Sequence, residues 1–258
     1  MSGKDVSVSV ENDIILRVTV NRPEKRNALS RAVLETLRNV FTDHAGDEKL
    51  KVAVLTGAGD KSFAAGGDLK DLSVLRSLDE ARGLAEQAKS ALNAIRNFPV
   101  PVIAALNGDA MGGGAELAVA CDFRISDSHA RIGFVQGRLN ISTAWGGGID
   151  LMRLVGPGKA LDLMCGSSML NAEEAQQIGL VDRIAEEDED LDHRVANFLQ
   201  PYLLQVPQVL RAFKALAIGA RRGFSRAEMD ELETRNFAAA WVHDDHWAAA
   251  DVLLSKGK

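Results

Sequence analysis

The chain has 258 residues, 30 of them lysine or arginine and 36 aspartate or glutamate, for a formal charge of −6, and 46% are hydrophobic. That is enough apolar material for the core of one large domain, and the acidic balance leaves nucleic acid no footprint beyond a local basic patch. No run approaches about 18 apolar residues and the stretch from Met1 to Val6 has no signal-peptide apolar region, so the expectation is a cytoplasmic protein without a membrane span.

In chain order, Val6–Val10 alternates and Ile14–Val20 is β-type. Ser30 is placed to cap a helix carrying Val33, Leu34, Leu37, Val40 and Phe41 at helical spacing. Apolar strands recur at Val52–Leu55, Val102–Leu106 and Phe123–Ile125 with helical stretches between them, the pattern of parallel strands joined by crossovers in an α/β protein. The acidic run Glu186-Glu187-Asp188-Glu189-Asp190 is expected as solvated surface, followed by helix over roughly 191–221 and 225–255. Cys121 and Cys165 lack metal-ligand spacing and are expected as small buried hydrophobes.

Two glycine-rich turns carry the chemistry. Phe63-Ala64-Ala65-Gly66-Gly67-Asp68-Leu69 follows the strand at Val52–Leu55, and Asn107-Gly108-Asp109-Ala110-Met111-Gly112-Gly113-Gly114-Ala115-Glu116 follows that at Val102–Leu106. Backbone N–H groups become free where a strand ends, and two such turns can aim two donors at one oxygen, an oxyanion hole. The second turn opens an apolar helix, Ala115 to Ala120, whose N-terminal dipole favours negative charge, and Glu116 lies one turn inside it. Burial would raise the pKa of that carboxylate and the helix dipole would oppose the rise.

With Asn21-Arg22-Pro23, Asn27-Ala28-Leu29, Trp145-Gly146-Gly147-Gly148 and Ala175-Gln176-Gln177-Ile178-Gly179-Leu180-Val181, these turns form an ordered set spanning nearly the whole chain. The set resembles the crotonase, or enoyl-CoA hydratase/isomerase, superfamily. That resemblance implies a spiral of ββα units over residues 1–190 holding an acyl-CoA site, and a C-terminal helical trimerisation region over 191–258. It further implies a homotrimer or dimer of trimers, an acyl-CoA substrate, no metal, and no cofactor apart from the coenzyme A of the substrate. By motif position Gly67 and Gly113 supply the oxyanion donors, with φ > 0 expected at Gly66, and Glu116 is the main acid/base. Substrate and CoA contacts are expected from Lys25, Arg26, Lys61, Ala65, Asp68, Lys70 and Trp145, with Lys256 reaching a neighbouring subunit's ligand. Asp68 is also placed to cap or brace its own loop.

The sequence departs from the resemblance at one point. Two-glutamate hydratases carry a second Glu twenty residues after the first, and in Arg131-Ile132-Gly133-Phe134-Val135-Gln136-Gly137-Arg138 that place holds Gln136. An amide positions water or a thioester but carries no proton through a cycle. Three reactions stay open: double-bond isomerisation on one carboxylate, hydration by Glu116 with Gln136 holding the water, and decarboxylation of a malonyl-type thioester. The last is the activity of ethylmalonyl-CoA decarboxylase-like members, to which the segments around Glu116, Gln136 and Trp145 are similar. An acyl-CoA-binding protein without turnover is the non-enzyme alternative. No phosphate loop with Lys-Ser/Thr is present, against an ATP-dependent ligase, and the five histidines show no metal spacing.

Overall fold

Strands β1 (Val6–Glu11) and β2 (Ile15–Val20) pair antiparallel across a turn in which Asn12 and Asp13 have φ of 51° and 62°, a conformation these two residue types tolerate best after glycine. The computed structural model describes residues 5–186 and 189–256; Met1 to Lys4, Glu187 and Asp188 of the acidic run, and the last two residues lie outside it. Helix α1 (Arg31–Asp43) begins at the expected cap, with the Ser30 hydroxyl accepting from Val33 N, and buries Val33, Leu34, Leu37, Val40 and Phe41.

From there the chain alternates between two sheets. β3 (Val52–Gly57), β5 (Val102–Leu106), β7 (Phe123–Ser126) and β9 (Arg183–Ile184) extend the first sheet in parallel, in the order β1-β2-β3-β5-β7-β9. β4 (Ser62–Ala64), β6 (Asp109–Met111) and β8 (Ile132–Gly133) form a second, three-stranded parallel sheet. Each turn thus lays one strand in each sheet before a helical return. The returns are α2 (Leu69–Leu72) with α3 (Leu78–Arg96), then α4 (Gly113–Ala120), then α5 (Gly147–Val155), α6 (Pro157–Gly166) and α7 (Ala172–Gln177). This is the expected ββα spiral, and it places the end of β4 and the end of β6 side by side, so the two glycine turns leave the small sheet next to each other.

β3 and β5 read as continuous apolar runs because both faces of the large sheet are covered. One face packs on α1, α3 and α4; the other, formed by Ile15, Val52, Val54, Ile103, Ala105 and Ile125, is covered by Leu191, Val195 and Leu199 of α8 (Leu191–Leu203). α8 therefore completes the sheet's second core although it follows residue 190.

The C-terminal region is divided more finely than the sequence suggests: α9 (Pro207–Arg222), α10 (Arg226–Trp241) and α11 (Asp244–Lys256) follow α8. Pro207 starts α9 because proline suits the first helical turn, while Val206 before it is forced into extended backbone, ending any continuous helix. α9 is fastened by Lys214 and Arg221 to Asp122 behind α4. α10 buries no residue, and Phe237, Trp241, Val242, Leu253 and Leu254 are exposed. Cys121 is buried as expected, but Cys165 is exposed, since α6 turns Ala160 and Leu163 inward and position 165 points away from them. No helix among the described residues is long and apolar enough to cross a membrane.

Candidate active site

The segment Arg26–Leu29 runs beside Ala65–Asp68: Ala65 N donates to Arg26 O at 3.0 Å, Leu29 N to Gly66 O at 2.8 Å and Asp68 N to Leu29 O at 3.0 Å. Buried Asn27 locks the neighbouring turn by donating to Ala58 O at 2.9 Å and Ser62 O at 2.6 Å. Gly66 has φ of 92°, as expected, which turns the chain out of β4. The amide of Gly67 donates to no protein acceptor among the described residues; nor does that of Gly113, the first residue of α4, whose N–H has no partner within its own helix. The two turns touch: a Cβ on Gly66 would stand 3.4 Å from Gly113 N.

Trp145, 7% exposed, lies over both. A Cβ at Gly113 would come within 2.7 Å of Trp145 Cη2, and one at Gly67 within 3.8 Å of the same atom. Glycine at 113 is thus required by the indole, beyond any need for a ligand to approach.

Glu116, 2% exposed, projects from α4 and is held on both oxygens. Its Oε2 accepts from Trp145 N at 2.9 Å and Gly147 N at 2.8 Å, and its Oε1 from Gln136 Nε2 at 3.0 Å. The carboxylate therefore sits at the N-terminus of α5, an anion site built from a second helix that the dipole argument on α4 alone does not anticipate. Burial pushes the pKa of Glu116 above the ordinary glutamate value, against the hydrogen bonds from Gly147, Trp145, Ala144 and Gln136 that lower it. Gln136, from a short 3-10 turn over Gln136–Leu139, is buried, and its Oε1 has no partner among the described residues. A buried, unpaired acceptor next to a carboxylate is costly unless a ligand or water supplies the donor.

Asp68 braces its loop. Its Oδ1 accepts from Lys70 N at 3.2 Å at the start of α2, and its Oδ2 pairs with the buried Arg22 guanidinium at 2.8 Å. Arg22 also donates to Ala28 O at 2.5 Å, fixing the strip beside the first glycine turn. It belongs to the Asn21-Arg22-Pro23 motif, yet nothing in that motif reveals its partner 46 residues away. Burial would raise the Asp68 pKa, but hydrogen bonds from Arg22 and from the Asp71 and Lys70 amides outweigh it, so the net shift is downward. A carboxylate with a depressed folded pKa adds stability above its unfolded pKa that is lost as pH falls through the folded value. Asp68→Asn is accordingly expected to lower Tm at neutral pH, with the gap to the unsubstituted protein closing as pH falls toward that folded pKa. Thermal melts across pH check this, and a gap independent of pH would contradict it.

Of the remaining expected contacts, Lys25 and Arg26 are exposed beside the Gly66–Gly67 turn, Ala65 is half-buried within it, and Lys70 is exposed on α2. Lys61 is also exposed, but it precedes β4 and so stands at the opposite end of that strand from Gly66 and Gly67. The side chain of Lys256 lies outside the described residues.

A double-sheet spiral that gathers two unpaired N–H groups and a buried carboxylate of raised proton affinity around one tryptophan has the makings of an acid/base site facing a polarised oxygen. The chain belongs to the enoyl-CoA hydratase/isomerase family, whose model matches residues 10–255. It is 40% identical over 240 residues to a crotonyl-CoA hydratase of Syntrophomonas wolfei, covering 93% of this chain and 91% of that one. An ethylmalonyl-CoA decarboxylase of Xenopus laevis is 29% identical over 85% of this chain and 74% of its own length. Among solved structures, an enoyl-CoA hydratase from Bacillus anthracis superposes with a TM-score of 0.90 at 29% identity, covering 98% of this chain and 96% of that one. The fold is that of the crotonases.

Proposed function

We propose that this enzyme of the family hydrates a short 2-enoyl-CoA, with Glu116 as the sole proton carrier. The observation that carries this reading is the unpaired, buried Oε1 of Gln136 beside the Glu116 carboxylate. A water there can donate one hydrogen to Gln136 and the other to Glu116. The thioester oxygen sits between the N–H groups of Gly67 and Gly113. Ionised Glu116 takes a proton as the water oxygen bonds to the β-carbon; the double-bond electrons move to the α-carbon and thioester oxygen, where the two donors hold the enolate. Glu116 returns the same proton to the α-carbon, so one water is added and the carboxylate is regenerated. The Trp145 ring packs on both glycines and its own amide grips Glu116, so the indole is assigned as the wall of the acyl pocket. The acyl chain is short on this reading, by analogy with the crotonyl substrate named for the Syntrophomonas relative. On this reading the exposed cations Lys25, Arg26 and Lys70 take the coenzyme A phosphates, and the exposed apolar side chains of α10 and α11 form the surface of a trimer.

The test is a turnover panel of crotonyl-CoA, a 2-octenoyl-CoA, a 3-enoyl-CoA and ethylmalonyl-CoA, with products identified by mass spectrometry. Hydration of crotonyl-CoA is expected to exceed every other activity, and octenoyl-CoA to be poorer by about tenfold or more, the scale set by misfit of added methylenes. Faster loss of CO₂ from ethylmalonyl-CoA would replace this reading with the decarboxylase, for which a neutral Gln136 avoids repelling the substrate carboxylate. The Gln136→Glu variant separates the two: a second carboxylate should speed hydration by activating water and slow decarboxylation by repulsion.

A further inference from the structure

The groups that face Glu116 are the Gln136 amide and the Ala144, Trp145 and Gly147 amides leading into α5. Behind that turn stands a buried ion pair to which the proposed chemistry assigns no part. Arg96, at the end of α3 and 7% exposed, donates from Nε to Asp150 Oδ2 at 2.7 Å, from Nη2 to Trp145 O at 3.0 Å and from Nη1 to Asn93 Oδ1 at 2.9 Å. Asp150, 5% exposed, lies in the first turn of α5. A Cβ on Gly146 would stand 2.9 Å from Arg96 Nη2, so the guanidinium is seated against the very turn whose amides grip Glu116. A planar fork of donors joined at once to the turn's carbonyl and to a carboxylate one turn into α5 leaves neither free to shift.

We infer that Arg96, through Asp150 and the Trp145 carbonyl, is a positioning residue that holds the Trp145–Gly147 amides on Glu116 and thereby sets both the direction and the proton affinity of that carboxylate. The inference rests on the reading of Glu116 as the proton carrier for its functional meaning, but not for its physical content. Hydrogen bonds to the ionised form hold a carboxylate's pKa down, so amides that swing away let it rise. Among the described residues no other charge competes for this role on the elements packed against Glu116: Asp109 of β6 pairs with Arg131, Arg124 of β7 pairs with Asp182, and Arg138 of the Gln136 turn, Arg153 of α5 and the other charged side chains of α3 are exposed. A direct Coulomb effect of Arg96 is offset by Asp150 beside it.

Three variants isolate the effect. Arg96→Gln with Asp150→Asn removes the pair without leaving a buried charge unpaired, Arg96→Lys keeps the charge but loses the fork, and Glu116→Gln assigns the Glu116 signal. Infrared difference titration, which follows the carboxyl band of Glu116 without turnover, is expected to show its midpoint about one pH unit higher in the double variant, with Arg96→Lys between. The acid limb of kcat/KM for the best acyl-CoA should move by the same amount while KM changes little. A double variant with native circular dichroism and an unmoved midpoint would overturn the inference, as would an unmoved midpoint in Arg96→Lys should the double variant fail to fold. If the unsubstituted protein turns over no acyl-CoA, the proposed function falls, while the infrared midpoint still decides the role of Arg96.

Discussion

Replacing Glu116 with glutamine is expected to reduce kcat for crotonyl-CoA by at least about 10²-fold while thioester affinity changes little, because in the proposed mechanism the carboxylate moves a proton in the transition state rather than holding the substrate. Glutamine fits the site: its carbonyl can accept from the Trp145 and Gly147 amides that now bind Oε2, and its amide can donate to Gln136 once that side chain turns its unpaired Oε1 inward. The change is therefore chemical more than steric. It also carries a stability signature of definite sign. Burial raises the folded pKa of Glu116, so the folded state holds its proton more tightly than the unfolded chain, and stability declines as pH rises through the folded pKa. The variant lacks that decline, and its Tm should gain on the unsubstituted protein as pH is raised from about 4 to about 8. Steady-state kinetics with calorimetry at several pH values checks both halves. Unimpaired hydration would remove Glu116 from the mechanism, whereas no hydration by either protein and unimpaired loss of CO₂ from ethylmalonyl-CoA in the variant would leave decarboxylation, in which departing CO₂ itself generates the enolate.

The second large effect is expected at Gly113. In Gly113→Ala the new methyl enters the space of the Trp145 ring, with Cη2 only 2.7 Å away, so either the indole or the first turn of α4 must move. Moving the turn takes away the N–H proposed to hold the thioester oxygen, for an expected loss of about 10²–10³ in rate, and overpacking adds a stability cost of about 1–3 kcal/mol. Combining it with Trp145→Ala should recover part of the stability, because the collision is with that ring, and part of the rate in so far as the turn returns to its place. Kinetics and melts on the single and double variants separate the two contributions. A single variant within threefold of normal activity would show that the Gly113 amide is not a donor to the developing charge.

Much of this arrangement is legible in the sequence, for identifiable reasons. α1 is long and amphipathic, so its five inward positions follow from spacing, and Ser30 marks its start. β2, β3 and β5 of the large sheet are apolar-rich runs of ordinary length, and β1 alternates. The strands of the small sheet have two or three residues each, too short for any periodicity, yet they are what sets the two glycine turns side by side. The ordered motifs single out Gly67, Gly113, Glu116 and Gln136, but hydrogen bonds from Trp145 and Gly147 to Glu116 span 29 and 31 residues and are made by backbone, which leaves no mark in side-chain identity. The Arg22–Asp68 and Arg96–Asp150 pairs are hidden similarly: an arginine in a sequence does not announce which carboxylate, dozens of residues away, folds against it. Cys165 went the other way from its composition-based expectation because one helix position decides burial, and hydrophobicity alone does not say which face it occupies.

The central claim is that the amides of Gly67 and Gly113 hold one thioester oxygen within reach of Glu116. A crystal structure with a non-reacting acyl-CoA thioester tests it most directly. The account predicts the thioester oxygen at hydrogen-bond distance from both nitrogens, about 2.7–3.2 Å, with the α- and β-carbons against the Glu116 carboxylate. A well-ordered thioester whose oxygen lies beyond about 3.5 Å from both amides would contradict it.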